Sequence, residues 1–196
     1  MYPTQTFNLP ELKGISKRTV EEHLKLFASY VKFTNIIMDV LKQHSNNNDT
    51  DLYILTELKR RFSFEWNGMR NHEYYFKSLE YGAKTLAPDS ALRQKIEDQY
   101  GSVEAWLTAS TSLAQTRGVG WAMVYYDPHT GRLTLAWVDE HHNGQLGSLP
   151  LVLALDMWEH AFLIDYSPAE KKKYITAFFG NLNWNVIEKN YLTARG

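Results

Sequence analysis

LPLVLALDMWEH, residues Leu149–His160, is an almost unbroken apolar run that ends in an acid, with a histidine four residues after that acid. Leu149–Leu155 is short and aliphatic and has a proline at its second position, a pattern that favours a fully buried strand. A carboxylate at the exit of such a strand is costly unless a cation or hydrogen bonds compensate it. A metal ion would do so, with Asp156 offering an oxygen and His160 a nitrogen. The alternative is an ordinary strand end that continues into an amphipathic segment.

Two more histidines lie in apolar or aromatic surroundings. His72 lies within the aromatic-rich segment Phe64–Phe76. Four residues at three- and four-residue steps share one face of a helical pattern: Val20, His23, Phe27 and Tyr30. A lone histidine on an apolar face is more often a core residue than a ligand. Three such histidines together with one acid favour a metal site.

Four motifs along the chain carry a family resemblance. DMWEHAF (Asp156–Phe162) is close to a D-x-W-E-H-A-Y-Y signature. The others are an N-x-x-x-N-H pattern that ends at His72, RGVGWAMV (Arg117–Val124) and YITAFFGNLNW (Tyr174–Trp184). In these motifs and in their order, the chain resembles the iron/manganese superoxide dismutases.

Composition limits the class of protein. A length of 196 residues suits one or two compact domains with a sizeable core. A formal net charge of -1 argues against a nucleic-acid partner. The lack of cysteine leaves imidazole, carboxylate and water as metal ligands. No apolar run approaches the roughly 18 residues of a membrane span, and the N-terminal segment lacks the features of a signal peptide. We therefore expect a cytoplasmic protein with no membrane partner.

We predict an α+β fold in two parts that divide at Ala87–Pro88. Residues 1–87 form a helical hairpin domain, and residues 88–196 form an α+β domain. The predicted helices of the hairpin are Lys17–Lys42 and Leu52–Tyr81, joined by the polar loop Gln43–Asp51. The facing sides of these two helices carry His23 and His72.

The second part combines a small antiparallel sheet of about three strands with flanking helices. Two β-rich runs in Trp121–Val138 surround the turn sequence Asp127–Gly131, which indicates a hairpin. A third strand ends at Leu155. The predicted helices are Pro88–Ile96, Val103–Gln115 and Ala169–Phe179. A metal site would lie between the two parts, a common location for sites.

The resemblance implies a ligand set and an activity. His23, His72, Asp156 and His160 would hold one manganese or iron ion per subunit. That ion would alternate between its +2 and +3 states and convert superoxide to oxygen and hydrogen peroxide. The alternative is a catalytically inactive protein of the same fold with a structural or partner-binding role.

The first predicted helix departs from the family pattern. In most members the ligand lies eight residues before the active-site tyrosine, whereas His23 lies seven residues before Tyr30 and Glu22 occupies the eighth position. A one-residue change in helix winding would keep His23 facing the metal, and Glu22 is the rival ligand. A histidine and a tyrosine that form a relay between subunits in many members are replaced here by Leu26 and Leu163.

The residue that hydrogen-bonds the solvent beside the metal is also unusual. Iron-type members often carry glutamine four residues before the second histidine ligand, where this chain has Gly68. The resemblance implies that the missing side chain leaves room for a donor from the second part. The loop length of archaeal members, counted back from Pro150, implies that this donor is His141, with Gln145 and His142 as competitors. This arrangement favours manganese or dual-metal use.

The resemblance implies further roles. Tyr30 would stand at the substrate funnel, and Trp121 and Trp158 would form the aromatic wall around the metal. Glu159 would reach to a ligand histidine of the other subunit across a homodimer, with a homotetramer as the alternative assembly. Lys171 is a candidate for superoxide steering, although a lysine run is more often a solvated helix face.

Overall fold

The computed structural model describes residues 1–44 and 49–196. Six α-helices lie within these ranges: α1 (Lys17–Gln43), α2 (Asp49–Lys77), α3 (Ala91–Tyr100), α4 (Val103–Ala114), α5 (Lys171–Gly180) and α6 (Trp184–Arg195). The strands are β1 (Gly120–Asp127), β2 (Arg132–Asp139) and β3 (Leu151–Asp156). Short 3₁₀ turns occur at Glu159–Ala161 and Pro168–Glu170. The predicted combination of a helical hairpin with a small antiparallel sheet and flanking helices is confirmed.

The two long helices α1 and α2 pack against each other as the predicted hairpin. Ser16 caps α1 by accepting a hydrogen bond from the Thr19 backbone N–H at 3.1 Å. The Asp165 carboxylate accepts from the Ser16 backbone N–H at 2.7 Å and from the Thr19 hydroxyl at 2.8 Å. These bonds fix the start of α1 to the chain segment that comes after the Asp156–His160 motif.

The ends of α2 differ from the prediction. The helix begins at Asp49, inside the predicted loop Gln43–Asp51, and residues 45–48 of that loop lie outside the described residues. It ends at Lys77 and not at Tyr81: the N–H groups of Leu79 and Glu80 bond to carbonyls only three residues earlier, and Tyr81 and Gly82 then take φ angles of 59° and 79°. Such left-handed backbone cannot continue a right-handed helix.

The three strands form one antiparallel sheet in the order β2-β1-β3. The predicted hairpin is confirmed, and β3 extends one residue past its predicted end, to Asp156. The register pairs Trp121 of β1 with Val138 of β2 and with Asp156 of β3. Trp121 and Asp156 are both fully buried. The sheet therefore places the acid at the strand exit beside Trp121, near the start of β1.

The helices of the second part differ from expectation mainly at their ends. Ser90 caps α3 by accepting from the Arg93 backbone N–H at 3.0 Å, so this helix starts at Ala91. Helix α6 was not predicted. It packs against β3 and buries Trp184, Ile187 and Tyr191.

The hydrophobic core is continuous from the hairpin to the sheet. Tyr75 of α2 stacks on Phe178 of α5 with ring centroids 5.3 Å apart. The division of the chain into domains 1–87 and 88–196 stays a prediction. In the part of the chain that the structure describes, no helix has both the length and the apolar character needed to cross a membrane.

Candidate metal centre

Four side chains of ligand type converge where the hairpin meets the sheet. One ligand atom from each lies within 4.8 Å of the other three: His23, His72, Asp156 and His160. Helix α1 supplies the first, α2 the second, the end of β3 the third and the 3₁₀ turn after it the fourth. The first three are buried and His160 is partly exposed.

Asp156 Oδ2 is the centre of this cluster. It lies 3.1 Å from His23 Nε2, 3.2 Å from His160 Nε2 and 3.5 Å from His72 Nε2. The second carboxylate oxygen accepts a hydrogen bond of 2.8 Å from the Trp158 backbone N–H, which fixes the orientation of the group. Ligand atoms about 2.1 Å from a shared ion lie about 3 Å or more from one another, so these spacings suit a common cation.

His72 gives the clearest indication of a missing partner. Its Nδ1 donates a hydrogen bond of 2.6 Å to the Gly68 backbone oxygen, one helical turn earlier. A neutral imidazole carries one N–H, so the lone pair is on Nε2. That atom is buried and has no hydrogen-bond partner among the described residues. A backbone carbonyl that holds one nitrogen while the other faces an ion is the usual arrangement of a metal-bound histidine.

The protonation states also suit a cation. Burial lowers the pKa of the His23 side chain and lowers that of His72 well below its ordinary value. Burial opposes ionisation of Asp156, but the charge of His160 and hydrogen bonds from His160 and His23 hold its pKa below the ordinary value. Neutral imidazoles at His23 and His72 beside an ionised carboxylate form a donor set that suits iron or manganese.

A second group lies directly beside the cluster. The Trp121 indole N–H donates to His141 Nδ1 at 3.0 Å. Because indole can only donate, His141 carries its proton on Nε2, which lies 2.7 Å from the Tyr30 hydroxyl oxygen. Tyr30 therefore accepts from His141 and keeps its own proton for another acceptor.

Both members of this pair stay neutral near pH 7. Burial lowers the pKa of His141 to about 3. Burial, reinforced by the negative charge of Asp156, raises the pKa of Tyr30. The Tyr30 ring centroid is 5.1 Å from that of His72, so the pair lies against the ligand cluster.

The rival candidates from the sequence lie elsewhere. Glu22 is exposed and accepts a hydrogen bond of 2.7 Å from Lys25 on the surface of α1. Gln145 is hydrogen-bonded to residues outside the ligand cluster. His142 Nδ1 lies 4.0 Å from the Glu140 carboxylate.

Gly68 makes room for a different neighbour from the one expected. A Cβ atom at this position would lie 2.7 Å from Tyr30 Cδ1, closer than real Cβ atoms come, and 3.0 Å from Tyr30 Cε1. The missing side chain thus admits the ring of Tyr30, which in turn meets His141. Gly68 also supplies the carbonyl that orients His72.

Aromatic rings enclose this region. Trp158 stacks on His141 with ring centroids 4.7 Å apart and on His160 at 5.7 Å. Phe64 was not predicted to belong here, yet its ring lies 4.6 Å from His141 and 6.2 Å from Tyr30. Phe64 precedes Gly68 by one helical turn on α2, and this i, i+4 spacing is the signal that could have identified it.

The predicted peripheral residues have different surroundings. Glu159 is exposed, and its carboxylate has no hydrogen-bond or ion-pair partner among the described residues. Leu163 is 42% exposed and Leu26 is half-buried. Lys171 donates to the Thr116 backbone oxygen at 2.9 Å and lies 5.5 Å from the Trp137 ring centroid. These contacts hold Lys171 against its neighbours and give no sign of a link to Tyr30.

Comparisons with known proteins point in one direction. Residues 88–190 match the family described as "Iron/manganese superoxide dismutases, C-terminal domain". The chain is 34% identical to a protein of Cupriavidus metallidurans named superoxide dismutase [Fe], over 94% of this chain and 92% of the relative. It is also 34% identical to a superoxide dismutase [Mn] of Mycolicibacterium smegmatis, over 88% of this chain and 82% of the relative. A superoxide dismutase [Fe] of Saccharolobus solfataricus is 29% identical over 91% of this chain and 88% of that protein.

Proposed function

The chain belongs to the iron/manganese superoxide dismutase family, and we propose that it dismutates superoxide at the cluster of His23, His72, Asp156 and His160. As a member of this family it is an oxidoreductase that uses one iron or manganese ion per subunit. The observation that carries the assignment to these four residues is the buried, unpartnered Nε2 of His72, which faces Asp156 Oδ2 at 3.5 Å.

The four proposed ligands have complementary chemical roles. Bound iron or manganese supplies one-electron chemistry, in which one superoxide is oxidised to oxygen and a second, with two protons, is reduced to hydrogen peroxide. His23, His72 and His160 offer imidazole nitrogens. Asp156 offers the one negative charge, which a bound cation compensates in a buried site.

Tyr30 and His141 control protons and hydrogen bonds beside the ligands. The indole of Trp121 fixes the His141 tautomer, so Nε2 always presents a proton to the Tyr30 oxygen. The hydroxyl proton of Tyr30 is then free for an anion or a solvent molecule beside the ligands. Because the Tyr30 pKa is raised, the hydroxyl holds that proton at neutral pH. We assign His141 the role of hydrogen-bond donor to Tyr30, and we assign Tyr30 the role of proton carrier.

We also propose a homodimer in which Glu159 contacts a ligand histidine of the partner. Its carboxylate is exposed and unpartnered among the described residues, directly before the partly exposed His160. The leucines at 26 and 163 would pack at the same interface, since neither can form a hydrogen-bonded relay. Manganese or dual-metal use, a homotetramer as the alternative assembly and a cytoplasmic location stay predictions.

Reconstitution with a single metal tests the proposed function. Metal-free protein is loaded separately with manganese and with iron, and superoxide decay is measured per bound ion. We expect turnover with at least one metal and none in Asp156→Ala, which lacks the central carboxylate. Tight binding of both metals without turnover would instead support a catalytically inactive member of the family.

A further inference from the structure

A set of hydrogen bonds holds the loop that carries His141. The His141 backbone oxygen accepts from Asn71 Nδ2 at 3.1 Å and from Gln145 Nε2 at 3.1 Å. Gln145 Nε2 also donates to Asn71 Oδ1 at 3.2 Å. The Gln145 carbonyl oxygen accepts from the Tyr125 hydroxyl at 2.6 Å. We call Tyr125, Gln145 and Asn71 the His141 clamp.

The clamp joins separate parts of the fold. Asn71 directly precedes the proposed ligand His72 on α2 and is 2% exposed, and Tyr125 lies on β1 and is also 2% exposed. Gln145 is the only loop member of the three, and it connects both of them to the His141 carbonyl. The backbone of His141 is therefore tied to α2 both directly by Asn71 and through Gln145, and to Tyr125 of β1 through the Gln145 amide.

The loop needs such support. Glu140, which directly precedes His141, has a φ angle of 51°, a left-handed conformation that is unfavourable for a residue with a side chain. After His141, residues Asn143, Gly144, Gly147 and Ser148 are exposed. A loop with a strained residue and few buried neighbours keeps one conformation only where other contacts determine it.

The bonding of Gln145 excludes it as a direct donor to the metal region. Its amide nitrogen donates to Asn71 and to His141 O, and its amide oxygen is occupied by Tyr125. A glutamine has two donor hydrogens and one carbonyl oxygen, so both hydrogens are already used. The Gln145 amide instead holds the backbone of His141, and the ring of His141 contacts Tyr30 and Trp121.

We propose that Gln145 is a positioning residue, which holds His141 Nε2 against Tyr30 and thereby sets the reduction potential of the bound metal. This inference rests on the proposed function. Hydrogen-bond partners around a metal site tune its potential and ligand orientation. A small shift of the His141 ring would alter those hydrogen bonds without removing any ligand.

The test uses Gln145→Met in metal-loaded enzyme, with Gln99→Met as the matched control. Gln99 also makes two hydrogen bonds to backbone, with Leu133 O at 2.6 Å and Leu133 N at 2.9 Å, but it lies between α3 and β2. Metal content, the midpoint potential of bound manganese or iron, and turnover are measured for both. His141→Ala serves as the reference for complete loss of the ring.

We expect Gln145→Met to keep its metal, to shift the potential in the same direction as His141→Ala, and to lose about 10-fold in turnover. Gln99→Met should keep the wild-type potential. Tyr125→Phe removes only the hydroxyl that orients the Gln145 amide, so it should shift the potential in the same direction by less. This variant decides the question if Gln145→Met does not fold.

Three results would contradict the account, and they are distinguishable from one another. A wild-type potential in Gln145→Met and Tyr125→Phe, beside a shifted potential in His141→Ala, would remove the positioning role and leave the proposed function intact. Wild-type protein that binds neither metal, or binds it without turnover, would overturn the proposed function itself. An equal shift in Gln99→Met would show a general loss of stability and would also contradict the inference.

Discussion

The indole nitrogen of Trp121 lies 3.0 Å from Nδ1 of His141. This contact decides which nitrogen of the imidazole carries the proton, because indole has no acceptor. It therefore makes Nε2 a donor and the Tyr30 oxygen, 2.7 Å away, its acceptor. The hydrogen-bond direction beside the proposed metal ligands is set by a buried tryptophan at the start of β1.

Replacing His141 should separate metal binding from turnover. His141→Ala removes the donor to Tyr30 but none of the four proposed ligands, so we expect full metal content and a loss of turnover of about 10- to 100-fold. His141→Gln restores an N–H donor and should recover part of the loss. His142→Ala is the control, since its ring makes no contact with Tyr30 among those described. Unchanged turnover in His141→Ala would remove the donor role from His141.

Two neighbouring substitutions on α1 test the first ligand. His23→Ala leaves Asp156 without one of its three imidazole neighbours, and we expect metal affinity to fall by at least about 100-fold, as measured by metal content after dialysis against a weak chelator. Glu22→Ala removes only a surface pair with Lys25 and should retain the metal. If His23→Ala kept full metal and activity while Glu22→Ala lost both, the ligand would be Glu22.

The predictions from the sequence agree with the structure where local sequence pattern determines the secondary structure. The helical spacing around His23 and the apolar run before Asp156 determine which element each residue belongs to, and both elements formed as predicted. The turn sequence of the antiparallel hairpin was enough to predict it. Helix α6 was missed although Trp184, Ile187 and Tyr191 repeat at three- and four-residue steps, because this apolar stripe is short and polar residues separate its members.

The tertiary contacts of the site could not be predicted from the sequence. Nothing near Gly68 in the chain indicates that the ring of Tyr30 occupies the space of its missing side chain. We propose His141 as the donor and Gln145 as the residue that positions it. This difference depends on which side of the loop faces Tyr125 and Asn71. Counting residues back from Pro150 does not show which neighbours the His141 and Gln145 side chains face.

Gly68→Ala should destabilise the protein even though alanine is the better helix former. The new Cβ would lie 2.7 Å from Tyr30 Cδ1, and such overpacking costs about 1–3 kcal/mol, against a helix gain of up to about 1 kcal/mol. We expect the free energy of unfolding in urea to fall by about 1–2 kcal/mol. Gly180→Ala is the matched control: nothing lies within 4 Å of its Cβ, so it should be neutral or slightly stabilising. Equal effects of the two changes would contradict the close packing of Tyr30.

The stability of the metal-free protein should depend on pH through His141. Its pKa falls from 6.5 to about 3 in the folded state, so between these values the unfolded chain binds a proton that the native state does not. The free energy of unfolding then falls as the pH falls from 6.5 towards 3. His141→Gln removes this contribution, and its slope between pH 4 and 6 should be shallower by up to about 1.4 kcal/mol per pH unit. Parallel slopes in the two proteins would show that His141 is not buried as a neutral group.

Glu159→Ala tests the proposed dimer contact. Removing an exposed carboxylate that bridges to a partner's ligand histidine should weaken the dimer and lower the retained metal together. Sedimentation velocity over a concentration series and metal content per chain measure both. Glu97→Ala is the control, because Glu97 pairs with Arg93 within α3. A wild-type dimer with wild-type metal content would exclude the bridge.

The most direct measurement for the central claim is the rate of superoxide decay as a function of bound metal, recorded by stopped-flow while manganese or iron is added in steps to metal-free protein. We expect the rate to rise in proportion to the bound ion and to stop rising at one ion per chain. In Asp156→Ala the rate should stay at the metal-free level. A full site with no acceleration of superoxide decay, or an equal acceleration in Asp156→Ala, would contradict the assignment of dismutation to this cluster.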